Sequence, residues 1–145
     1  MTLPTLYLDF DGVLHPGHAQ PSERFSNQEV LVQAIGGAAL DIVVSSSWRF
    51  HYTMAKLRSE LHPEIARRVC GITGEALMGS HARWREIERH AMFNRVKNFR
   101  ALDDSAFLFP PDCGALILCD GSRGMQEAQA EELRAWLRSV DGSRL

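Results

Sequence analysis

Asp9 and Asp11 stand two residues apart at the end of the apolar run Leu6-Tyr7-Leu8, and Gly12 follows at once. A run that short reads as a buried strand rather than a helix. The glycine turns the chain, so both carboxylates fall at the strand's C-terminal edge, where open α/β sheets bind ligands. Neighbouring carboxylates are costly unless a proton or a cation answers them, so the pair asks for a metal ion. The plainer alternative is two solvated turn aspartates. Asp103 and Asp104 form a second acidic pair, closing Phe99-Arg100-Ala101-Leu102. Ser45 closes Ile42-Val43-Val44 with a hydroxyl able to bond a phosphoryl oxygen, and the backbone N–H groups that follow point the same way. Alone, a serine run after a strand is more often a helix cap. Three strand ends carrying acids and a hydroxyl are hard to explain as surface decoration.

These groups need a frame. Ser26-Asn27-Gln28-Glu29 reads as a capping box, and Val30, Leu31, Ala34, Ile35 and Ala38 recur behind it at helical spacing, with Gly36-Gly37 weakening or ending that helix. Asp41 to Ser45 reads as a second strand. Phe50, Met54, Leu57 and Leu61 mark a helix closed by His62-Pro63, and Arg68 to Ile72 a short strand. Trp84, Ile87 and Ala91 suggest a helix from Arg83 to Met92. Phe99 to Asp103 and Ala115 to Cys119 supply a fourth and a fifth strand. A last helix from about Gln126 sets Leu133, Trp136, Leu137 and Val140 on one face. Strands alternating with helices predict an α/β fold, a mostly parallel sheet of about five strands covered on both sides.

The 145 residues suit one domain over 1–145, and 45% hydrophobic with 23% charged residues is ordinary for a globular protein. Cys70, Cys113 and Cys119 are odd in number and lack CxxC spacing, which fits a reducing cytosol. No signal-peptide pattern or membrane-length apolar run is present, so the expected location is cytoplasmic, with no membrane partner. Net charge is −2. Between His81 and Arg100, however, Arg83, Arg85, Arg89, Arg95, Lys97 and Arg100 face only Glu86 and Glu88. That segment is either a phosphate-facing surface or a solvated helix face. The histidines show no zinc-ligand spacing.

Asp9-Phe10-Asp11-Gly12-Val13-Leu14 resembles the DxDGVL signature of the haloacid dehalogenase-like (HAD) phosphohydrolases. The resemblance implies a Rossmann-like three-layer sandwich. It makes Ser45 the second-motif hydroxyl, with Ser46 as the alternative. Asp103-Asp104 resembles the fourth motif, in which the second acid ligates Mg²⁺ directly and the first assists. The implied Mg²⁺ site comprises Asp9, the backbone carbonyl of Asp11, Asp104 and Asp103, an all-oxygen set of the kind this ion prefers. The implied chemistry is attack by Asp9 on phosphorus to give an aspartyl-phosphate, with Asp11 as general acid and then base.

The third motif departs from the pattern. The family usually has a lysine there, but Lys97 precedes the strand ending at Asp103 and so lies near the opposite pole. Arg83 is the better positional match and Arg85 the alternative; neither is equivalent to lysine. The pieces Asp-Gly-Val-Leu-His-Pro and Ser-Ser-Trp-Arg resemble the short HAD domains associated with bacterial RNA-repair proteins, which implies RNA-repair partner proteins. Similarity runs from about Leu6 to Leu137.

The intervals from Leu14 to Ser45 and from Arg49 to Arg83 are too short for the cap domain of many HAD enzymes. An open site follows, with His15, His18, Arg24, Trp48 and Arg49 at its entrance, suited to phosphorylated nucleic-acid ends or small phosphomonoesters. Trp48 could stack a base or pack inside. Three rivals stay open. One is phosphotransfer to an acceptor other than water. Another is a phospho-receiver domain, disfavoured by a DxD on the first strand and no lysine after Lys97. The third is a non-catalytic Mg²⁺- and phosphate-binding module.

Overall fold

Leu6 and Leu8 face one side of their strand and Tyr7 the other, as period-2 geometry requires, and all three are fully buried. A strand without a polar face needs cover on both sides. The computed structural model, which describes residues 3–143, provides it. Strands β1 (Thr5–Leu8), β2 (Asp41–Val44), β3 (Val69–Ile72), β4 (Phe99–Asp103) and β5 (Leu116–Leu118) form one parallel sheet in the order β3-β2-β1-β4-β5. Leu6 and Leu8 pack in a core with residues of α1 (Gln28–Ile35), α2 (Met54–Glu60), α3 (Pro63–Ala66) and α5 (Glu127–Ser143). Tyr7, Val43 and Ala101 pack on the other face against Ile87 and Ala91 of α4 (Ala82–Phe93) and against Phe109. The result is the expected Rossmann-like three-layer α/β sandwich.

β1 is central, with β2 on one side and β4 on the other. The chain builds outward from β1 in one direction and then in the opposite one, which opens a crevice at the C-terminal ends of β1 and β4. Between β1 and β2 the chain holds α1 and a short turn at Pro21–Glu23, and between β2 and α4 it holds α2, α3 and β3. Among the described residues no cap-sized insertion lies over the strand ends. Among the described residues no helix is long and apolar enough to cross a membrane.

The structure differs from the sequence reading at several ends. The Ser26 to Glu29 capping box does not form: α1 begins at Gln28 behind Asn27, with no side-chain cap bond. Asn27 instead donates to the carbonyls of Arg123 and Met125, tying the start of α1 to the entry of α5. Phe50 lies in a 3-10 turn (Ser47–Phe50), outside α2. Pro63 opens α3 rather than only closing α2, since proline lacks just the N–H that a first helical turn does not use.

Candidate active site

Asp9 immediately follows β1, and its N–H is fixed by the carbonyl of Leu102 in β4. Asp103 is the last residue of β4, and Asp104 begins the turn beyond it. Parallel pairing of β1 with β4 therefore brings the two acidic stretches together. One carboxylate oxygen each from Asp9, Asp103 and Asp104 lies within 4.8 Å of the others. Asp104 is held sterically: a Cβ built on Gly12 would stand 2.1 Å from its Oδ2, and one on Gly121 2.4 Å. Both positions must lack a side chain for the carboxylate to sit there. Gly12 also needs its freedom for a φ of +78°.

Burial first, and then the charge of Asp103, push the Asp9 carboxyl well above its ordinary value, while Arg83 and the Phe10 N–H pull it back. Asp103 is also raised, by burial, against the pull of Arg83. Arg83 reaches in from the first turn of α4, with Nη1 2.7 Å from Asp103 Oδ2 and 3.6 Å from Asp9 Oδ1. Burial opposes its charge, but Asp103, Asp9 and Glu86 outweigh this and hold the guanidinium above its ordinary value. With all three carboxylates ionised, one guanidinium leaves an excess of two negative charges, which a divalent cation would balance. The donors are all oxygen, the set that Mg²⁺ takes. The residues present therefore fit the metal.

Ser45 is buried at the end of β2, its N–H bonded to the Leu8 carbonyl. Its hydroxyl has no hydrogen-bond partner among the described residues. Buried hydroxyls are seldom left so, and one beside the Asp9 strand end is a donor for a bound anion. Ser46, the alternative, accepts the Trp48 N–H as a local cap.

Asp11 lies outside the acidic cluster. Its Oδ1 is 2.7 Å from His15 Nε2, its Oδ2 accepts the Trp48 indole N–H at 3.2 Å, and its side chain is 53% exposed. It opens onto a cavity of about 390 Å³ whose other walls include Gly17, Arg24, Ser47, His51 and Tyr52. His15 and Trp48 line the same cavity, and both are engaged with Asp11.

Arg49 departs from its expected place at the entrance. It is buried, and its guanidinium donates to the carbonyls of Ser45, Ser46 and Gly74 and to Glu86 Oε1 at 2.8 Å. Glu86 Oε2 accepts the Leu77 N–H. The pair is a strut joining the end of β2, the loop before α4 and α4 itself. Sequence reasoning missed Glu86. Its signal was an acid one turn after Arg83, beside the apolar Ile87.

The basic segment does not form one face. Arg83 enters the site, whereas Arg85 holds the carbonyls of Ser80 and Met78, and Arg89 those of Thr73 and Glu75. Arg100 lies over the Trp136 ring. Of the two third-motif alternatives, Arg83 is the one that reaches the acids.

A family model for the HAD domain in Swiss Army Knife RNA repair proteins matches residues 5–130, a span that includes every site residue named above. No curated protein and no solved structure matches the chain.

Proposed function

Because the chain belongs to the HAD domains of Swiss Army Knife RNA repair proteins, we propose that it is a Mg²⁺-dependent phosphomonoesterase acting on phosphorylated nucleotide or nucleic-acid ends. The observation that carries this reading is the convergence of Asp9, Asp103, Asp104 and Arg83 beside the unpartnered Ser45 hydroxyl. Asp9, Asp103 and Asp104, with the Asp11 carbonyl, would hold the ion. When bound, it neutralises charge on the phosphoryl group and its nucleophile.

Asp9 attacks phosphorus and the ester P–O bond breaks, the departing oxygen taking a proton from Asp11. Water then attacks the aspartyl-phosphate, gives its proton to Asp11, and the Asp9–phosphorus bond breaks to release phosphate. Arg83 opposes the upward push that burial exerts on Asp9 and offers N–H groups to phosphoryl oxygens. The Ser45 hydroxyl donates to another. The open edge admits a polymer end, and the family's association with RNA repair suits partners from that process.

The test is phosphate release from a phosphorylated oligonucleotide, a sugar phosphate and an aryl phosphate, with and without Mg²⁺. The wild type should require Mg²⁺ and prefer the oligonucleotide, and Asp9→Asn should lower turnover by at least about 10³-fold, the scale of losing a reacting group. Hydrolysis that survives Asp9→Asn would overturn the mechanism. Mg²⁺ binding without any turnover would identify a binding module instead.

A further inference from the structure

We propose that His15 is a positioning residue that aims Asp11 at the leaving oxygen, an assignment that rests on the phosphomonoesterase reading. The turn after Asp11 brings His15 back beside it: the N–H groups of Val13 and Leu14 bond the Phe10 carbonyl, and the Gly12 N–H bonds the carbonyl of His15. The imidazole is 3% exposed. Its Nδ1 accepts the backbone N–H of Phe25 at 3.1 Å. A backbone N–H can only donate, so Nδ1 carries no hydrogen and the ring hydrogen is on Nε2. That hydrogen points at Asp11 Oδ1, 2.7 Å away.

The acceptor requirement is built into the fold at a cost. Phe25 has a φ of +62°, a left-handed conformation that side chains other than glycine seldom adopt. Its ring is held edge-on against those of Phe10, His15 and Trp48. Strain of this kind persists where the surroundings over-determine it, and it collects at functional sites. Here it presents one N–H to one ring nitrogen.

The indole of Trp48 fixes the other Asp11 oxygen. Each carboxylate oxygen keeps a further lone pair, and the group lines the cavity and is not one of the three clustered acids. The cavity is therefore the leaving-group side, and His15 with Trp48 sets the direction in which Asp11 delivers its proton.

The consequence is graded by leaving group. An alkoxide must be protonated as it departs, whereas a nitrophenolate hardly needs it. His15→Asn keeps an oxygen for the Phe25 N–H but offers no donor to Asp11, while His15→Gln places an amide N–H near the position of Nε2. On methyl phosphate, His15→Asn should lower kcat by roughly 30-fold or more, within the range of misdirected acid–base catalysis, with KM little changed. On 4-nitrophenyl phosphate the loss should be a few-fold, and His15→Gln should recover most of the difference.

Equal losses on both esters, or none, would overturn the assignment while leaving the phosphatase reading intact. A wild type that hydrolyses neither ester nor the phosphorylated oligonucleotide would overturn both. Independently of turnover, long-range ¹⁵N–¹H correlation of the imidazoles, with His15→Asn identifying the signal, should show the Nε2–H tautomer. An Nδ1–H tautomer would end the proposal.

Discussion

Asp9 is a carboxylate kept from water beside Asp103, with Arg83 as its counter-charge. Such a group works against the fold when no cation is bound. Asp9→Asn removes the buried charge while retaining the shape, so in metal-free buffer the variant should melt at a higher temperature than the wild type. Thermal denaturation in a chelator checks this, and a lower midpoint would mean that Asp9 is fully compensated by Arg83. The acids were legible because they fall at the ends of two apolar strand runs, Asp9 after one and Asp103-Asp104 at the other, so local sequence placed them. Arg83 was preferred to Arg85 on position alone, with Arg85 left open, because the choice depends on which side of α4 meets the sheet. The work of His15 was hidden for a similar reason: its partner N–H belongs to Phe25, ten residues on, across a loop whose path no periodicity encodes.

At the scale of elements, the turn after β5 reaches the site through a missing side chain. Gly121 has no left-handed φ to protect, so Gly121→Ala tests the space alone. Its methyl would displace the Asp104 carboxylate. Mg²⁺ affinity measured by calorimetry should fall by about tenfold or more, the scale of disturbing a support of a metal ligand, while the metal-free melting temperature changes little.

A second test concerns how α4 docks on β1. His90 Nδ1 and the Tyr7 hydroxyl are 2.8 Å apart, and burial holds the imidazole below the ordinary value of 6.5. The unfolded chain takes up that proton at pH values where the folded chain does not. Stability should therefore fall as pH drops below about 6.5, and His90→Gln should flatten that slope in denaturant titrations. All five strands could be read from apolar runs and their punctuation. The start of α1 could not, since Asn27 answers to the carbonyls of Arg123 and Met125 at the other end of the chain. The Arg49–Glu86 strut was equally unreadable, as its members meet only after β2 and α4 are packed.

For the whole molecule, the proposed cation site ties ion binding to folding, because the three acids come from two strands that are adjacent only in the folded state. At a Mg²⁺ concentration 100 times Kd, linkage adds about 2.7 kcal/mol, or roughly 5–10 °C for a chain of this size. Wild type should show that rise in calorimetry, and Asp104→Asn should lose most of it. The same sheet order bears on biosynthesis. β1 leaves the ribosome first, yet its partner β4 is made much later, and the Asp9 N–H has its Leu102 acceptor only then. A nascent chain thus carries Asp9 and Asp11 without the acids and the arginine that would arm them. On the proposed chemistry, reactivity arrives late and all at once, so half-made chains hold no working nucleophile among the phosphate esters of the translation machinery that surrounds them.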